Sequence, residues 1–188
     1  MQRCGWVTQD PLYLAYHDRE WGIPQTDARA LFEMLCLEGQ QAGLSWLTVL
    51  KKRDNYRRAF HQFDPHAIAL MDEQDVDQLM QDSGIIRHRP KIVAIIANAR
   101  AYLAMKEKGE DFAHFVWQFV DNAPIVHYHD DYKQAPTTSE RSDALSKALK
   151  QRGFKFIGTT ICYSFMQACG LISDHQTCCF CHPMNLSH

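Results

Sequence analysis

The sequence predicts an all-α protein, and three observations carry that prediction. Valine and isoleucine never alternate with polar residues as a half-buried strand requires. Apolar residues recur instead at three- and four-residue spacing in one segment after another. Between these segments stand helix-start pairs such as Asp64-Pro65 and glycine stops such as Gly109 and Gly153.

The stretch CGWVTQDPLYLAYHDREW, residues 4 to 21, is the exception, since it shows little periodicity of either kind. An irregular chain end frays unless something offsets its ordering entropy, so this stretch is expected to be pinned to a distant partner. Thr26 or Asp27 can cap a helix with the stripe Ala30, Leu31, Met34, Leu35, and after QQAG a second helix runs from Ser45 to about Phe60. Asp64-Pro65 opens a short helix, and Asp72 opens another that reaches about Asp82. Following SGIIRHRPK, Pro90 starts a long helix through Ile92, Ile95, Ile96, Ala99 and Leu103 to the stop at Gly109. Phe112, Phe115 and Phe119 continue at helical spacing. A polar loop then covers about 121 to 139, a helix from Ser142 ends at Gly153, and GTTICYSFMQACG forms the last one.

With 188 residues, 46% of them hydrophobic, the chain suits one domain spanning 1–188. A formal charge of −2 argues against a protein that coats nucleic acid indiscriminately, while leaving room for a local basic face. Membrane insertion and secretion are not expected, because there is no apolar run of roughly 18 residues and no basic-then-apolar leader pattern. A cytoplasmic location is the expectation. Seven cysteines, an odd number, fall at 4, 36, 162 and 169 and then crowd at 178, 179 and 181. Reduced thiols plus a metal fit that pattern better than a disulfide framework.

Three constellations carry chemistry. In DHQTCCFCH, His175 and Cys179 are four apart, on one face of a helical turn, and Cys178 with Cys181 makes a Cys-x-x-Cys alternative. A tetrahedral zinc site then needs a second pair, for which Cys4 and His17 are the natural candidates; the closed shell would be structural. Glu38 lies seven residues after Leu31 and three after Leu35, on the apolar side of its helix. With Trp46, Trp6, Tyr16 and Trp21 it resembles a cage for a flat cationic ligand, since ring faces attract positive charge. Finally, SGIIRHRPK makes a tight hairpin between two helices, whose backbone N–H groups and helix N-terminus can grip an anion beside Arg87, His88, Arg89 and Lys91.

Together, CGW, YHDREWG, LEGQQAGLSW, GIIRHRPKI and FKFIGTTICYSFMQACGL resemble the 3-methyladenine DNA glycosylase I family of the helix-hairpin-helix superfamily, over nearly the whole chain. The resemblance implies a monomeric, all-helical base-excision repair enzyme, with two helical lobes around one base-binding pocket. It would hydrolyse the N-glycosidic bond of 3-methyladenine in alkylated double-stranded DNA and release the free base. The implied structural Zn2+ ligands are Cys4, His17, His175 and Cys179. The implied pocket residues are Glu38, Tyr16, Trp46 and Trp21, with Trp6 and Tyr13, while Leu44 matches a wedge that fills the gap left by the everted base and Gly84 marks the hairpin. Two departures stand out: the hairpin turn has no second glycine, and no acid interrupts the helix after it before Glu107, where the superfamily usually carries a catalytic aspartate. Asp111 is the nearest acid to be considered. Glu38 is then expected to recognise the cationic base by charge, and neutral adenine would leave that charge unpaired.

Overall fold

The structure, a computed structural model, describes residues 2–186. Its helices in chain order are α1 (Pro11–Arg19), α2 (Ala28–Gln40), α3 (Trp46–Ala59), α4 (Pro65–Ala69), α5 (Glu73–Leu79), α6 (Arg89–Glu107), α7 (Phe112–Trp117), α8 (Glu140–Gln151) and α9 (Thr159–Ala168). Seven of them start at a residue whose side chain accepts a first-turn N–H, namely Asp10, Asp27, Ser45, Asp64, Asp72, Asp111 and Ser139. Asp111 is thereby accounted for as a cap. His88 and Gly158, ahead of α6 and α9, make no such bond.

Two boundaries differ from the sequence reading. Residues 11–19 are helical, because Asp10-Pro11 is the same cap-then-proline pair as Asp64-Pro65. Helix α8 begins before Ser142, since Ser139 and Ser142 close a reciprocal capping box. The fold also departs from all-α by one short parallel pair, β1 (Ile125–Val126) with β2 (Ile172–Ser173), Ile125 facing Ile172 and Val126 facing Ser173. Two-residue strands are too short to show the alternation that reveals a strand.

Helix α2 is the centre of the molecule. Residues 35–40 are buried without interruption, and Leu31, Phe32, Leu35 and Leu37 are wholly inaccessible. Buried apolar side chains from Tyr16 to Ile172 make one contiguous core around it. The two chain ends lie together: Phe180 N–H donates to Gln2 O at 2.9 Å, and Gly5 N–H to Gln176 Oε1 at 2.5 Å. After α9 the chain reverses at Gly170, which has φ +69° and packs on the backbone of Ile23 and Pro24. A methyl group there meets both strain and main chain, so Gly170→Ala is expected to cost at least 1–2 kcal/mol, roughly, read as a lowered urea midpoint with unchanged m. Among the described residues no helix is long and apolar enough to cross a membrane.

Candidate active site

Glu38 sits two residues before the end of α2, inside the enclosed run, and is only 3% exposed. Its Oε2 has no hydrogen-bond partner in the protein. Burial pushes its pKa up to about 8, because apolar surroundings disfavour the charged form.

A cavity of about 270 Å³ opens beside that carboxylate. Tyr13 and Tyr16 reach it from α1, Trp46 from the first position of α3, and Trp6 and Trp21 from the segments on either side of α1. Trp6 meets Trp21 edge-on at 4.9 Å between centroids, and Tyr16 meets Trp46 at 5.6 Å. Glu38 and all five side chains that the sequence singled out around it therefore share one cavity. The indole N–H groups of Trp6 and Trp46 are also buried without a protein partner. Orphaned polar groups are scarce in folded proteins and cost about 1–3 kcal/mol each. Three of them belong to residues of one cavity, which leaves one acceptor and two donors there without a protein partner.

Other wall residues escape the sequence reading. Thr160, Ser164 and Gln167 of α9 line the cavity at helical spacing, a polar stripe in an otherwise apolar segment and the signal by which they are found. The stretch from Tyr132 to Thr137 forms a further wall. The segment just ahead of it, with His127 and His129, is anchored on Asp174, whose buried carboxylate accepts from Tyr163 Oη at 2.6 Å and Gln167 Nε2 at 2.8 Å on one oxygen, and from His127 Nδ1 at 2.7 Å and His129 Nε2 at 3.1 Å on the other. These partners are too far apart in sequence for any local pattern to announce them.

Cys4, His17, His175 and Cys179 are all buried, and their ligand atoms lie within 4.8 Å of one another. The edges Cys4 Sγ–His175 Nδ1, Cys179 Sγ–His17 Nε2 and Cys179 Sγ–His175 Nδ1 measure 3.4, 3.5 and 3.6 Å. Outside this set, His17 Nδ1 faces Asp18 Oδ1 at 2.8 Å and His175 Nε2 faces Trp21 O at 3.0 Å. The N–H groups of Gln176 and Cys181 donate to the two sulfurs at 3.4 Å each. The four groups could hold a metal ion. Cys178 is exposed and stands apart, while Cys181 turns its sulfur toward the carbonyls of His17 and Asp18.

In the hairpin between α5 and α6, Gly84 N–H donates to Asp82 Oδ1 at 2.8 Å, and its α-carbon packs where an added methyl would strike Asn55. Arg87 and His88 are exposed. Two residues expected to contact DNA are engaged within the protein. Arg89 is engaged by Glu73 at 2.9 Å and by Asp77. Lys91 is only 7% exposed, and its Nζ donates to Gln40 O at 2.9 Å and Ala42 O at 2.6 Å, because those carbonyls end α2 directly beneath it. Leu44, in the turn between α2 and α3, is 41% exposed.

The family described as methyladenine glycosylase matches residues 6–182. The chain is 66% identical over 185 residues to DNA-3-methyladenine glycosylase 1 of Escherichia coli (strain K12), covering 98% of this chain and 99% of that protein. It is 59% identical over 179 residues to the DNA-3-methyladenine glycosylase of Haemophilus influenzae (strain ATCC 51907 / DSM 11121 / KW20 / Rd), covering 95% and 97%. A solved structure of a 3-methyladenine DNA glycosylase I variant in complex with 3-methyladenine is 41% identical and matches with a TM-score of 0.93 over 100% of both chains. With the match running almost from end to end, the chain belongs to the methyladenine glycosylase family.

Proposed function

We propose that this chain excises 3-methyladenine from alkylated double-stranded DNA, taking the everted base into the cavity beside Glu38 and hydrolysing its N-glycosidic bond. The observation that carries the reading is the orphaned Glu38 Oε2 in a cavity walled by aromatic rings, with the orphaned indole N–H groups of Trp6 and Trp46 in the same wall. A base methylated at N3 is a cation in DNA and already a good leaving group, so the protein must select and position it. Ring faces attract that cation, and the carboxylate neutralises it. Entry of the positive charge lowers the pKa of Glu38, so the proton it holds in the free protein leaves as the lesion binds. Neutral adenine cannot balance the carboxylate. The base then departs, leaving an oxocarbenium-like sugar that water captures. Incubation with methylated DNA followed by chromatography tests this: free 3-methyladenine is expected in the supernatant, and its absence rejects the reading.

Zinc suits the cluster of Cys4, His17, His175 and Cys179. With Zn–S near 2.3 Å and Zn–N near 2.05 Å, a tetrahedron has S···N edges of about 3.6 Å, close to the three edges above. The ring nitrogens facing Asp18 and the Trp21 carbonyl have the outer partners usual for metal-bound imidazoles. Without a cation, contact between the two sulfurs drives the Cys4 thiol up and the Cys179 thiol down, leaving one proton between them. A divalent ion accommodates both as thiolates. Four protein ligands leave no open position, so the ion would tie the chain ends and take no part in hydrolysis.

On the DNA side, Leu44 would enter the stack where the base leaves, and the hairpin with Arg87 and His88 would hold a phosphate. The helix it feeds, α6, starts without a side-chain cap, which keeps its N-terminal dipole available to an anion. Arg87→Ala should flatten the dependence of log K on log salt by about one unit. Arg89→Ala, already paired, should change it little. Anisotropy titrations over a range of salt concentrations distinguish the two.

A further inference from the structure

Lys91 was expected at the DNA, yet it points inward, and what it touches gives it a different task. Its Nζ donates to Gln40 O and Ala42 O, the carbonyls that close α2 and open the turn carrying Leu44. A cation at a helix C-terminus satisfies carbonyls that have no partner within the helix and opposes the negative end of its dipole. The contact is reciprocated: Gln40 Nε2 donates to Lys91 O at 3.0 Å. From Gln40 the chain of bonds continues, since Tyr56 Oη donates to Gln40 Oε1 at 3.2 Å and itself accepts the N–H of Ile86 at 3.1 Å. Lys91, Gln40 and Tyr56 are all buried.

This small network joins three parts that the reaction needs at once. Ile86 and Lys91 belong to the hairpin and the helix it feeds; Gln40 lies two residues after Glu38 and four before Leu44. The turn from Gln41 to Leu44 has few bonds of its own that fix its height over the cavity, chiefly Leu44 N–H to Gln41 O at 2.6 Å. We infer that Lys91 and Gln40 are positioning residues, which lock the Leu44 turn to the hairpin, so that gripping a phosphate sets the wedge at the height where base eversion is possible. None of Lys91, Gln40, Tyr56 and Ile86 lines the cavity beside Glu38. The network's effect must pass through Leu44.

The inference rests on the proposed roles of Leu44 and the hairpin, and a double-mutant cycle separates its failure from theirs. Lys91→Met keeps the aliphatic length and removes the donor. Base release from methylated duplex is measured for Lys91→Met, Leu44→Ala and the double variant. Each single change is expected to slow release roughly 10- to 100-fold, the scale of a misplaced positioning group, and the double variant to be no slower than the worse single one. Such non-additivity is the signature of one shared function. Binding of free 3-methyladenine, followed by tryptophan fluorescence, should be unchanged by Lys91→Met. If Leu44→Ala releases base at the unmodified rate, the wedge reading falls and takes this inference with it. If Leu44→Ala is slow but Lys91→Met is not, or the losses multiply, or free-base binding falls in parallel, the inference alone is overturned. Should Lys91→Met show no cooperative melt, Gln40→Met is read in the same cycle with the same outcomes.

Discussion

Replacing Glu38 with glutamine is expected to do two things at once: cut release of 3-methyladenine by roughly a hundred- to a thousandfold, the scale of breaking a buried charge pair, and stabilise the free protein. The first follows because glutamine keeps the shape but cannot balance a cation. The second follows from linkage. In the unfolded chain Glu38 titrates near its ordinary 4.5, whereas burial raises it to about 8 in the fold. A raised folded pKa means that the favourable contribution is complete below pH 4.5 and is lost as the pH rises through 8. Between those values folding must protonate the carboxylate, at about 1.4 kcal/mol per pH unit above 4.5, or on the order of 3 kcal/mol at pH 7. Glutamine carries no such cost. Thermal melts should show the variant drawing ahead of the parent between pH 5 and pH 8. Equal melting points across that range would contradict the energetic picture of the site, whatever the activity. In the intact enzyme the same proton predicts that kcat/KM rises with pH toward about 8, because kcat/KM reports the free enzyme, with kcat flatter once the bound cation has displaced the proton.

Much of this site was legible because it is built from side chains with strong local signatures. Glu38 announced itself by falling on an apolar face, and the tryptophans and tyrosines by crowding near both ends of that helix. Cys4, His17, His175 and Cys179 stood out through ligand type and spacing, although their convergence across more than 150 residues needs the folded chain. What escaped detection has physical reasons. Helix α1 has little apolar stripe, since its faces meet a cavity and a cluster of rings as well as core; only the Asp10-Pro11 start betrays it. Lys91 reads as a solvent cation because nothing local reveals that the end of α2 lies against it. The anchoring of the 121–139 stretch on Asp174 joins residues about 45 positions apart, beyond the reach of periodicity.

The other large effect is expected from the proposed zinc ion. Apparent free energies of zinc binding in small folded units run to about 10–16 kcal/mol, comparable with or above the 5–15 kcal/mol that typically holds a whole domain. This chain, however, owes its main core to aliphatic and aromatic residues of α2, α3, α6, α8 and α9, none of which supplies a ligand. If the four residues hold that ion, its loss should therefore release the first segment before it melts the rest. The consequence reaches the cavity, because its walls lean on the cluster. Trp21 packs on His175 at 4.6 Å and gives His175 its backbone acceptor, and Trp6 packs on His17 at 5.3 Å. Cys179→Ser, or dialysis against a strong chelator, is expected to leave most of the far-ultraviolet circular dichroism intact while amide protection over residues 11–19 collapses. Binding of free 3-methyladenine should weaken at least tenfold, since Trp6, Tyr13, Tyr16 and Trp21 lose their fixed positions together and a binding site that must be re-ordered loses that entropy from its affinity. Hydrogen exchange and tryptophan fluorescence read the two effects separately, with native mass spectrometry reporting metal content. A metal-free preparation that keeps both protection and affinity would show that hydrogen bonds such as Arg3 to Asp18 and Gly5 to Gln176 suffice to hold the segment, and that the four buried ligands are not what orders the pocket.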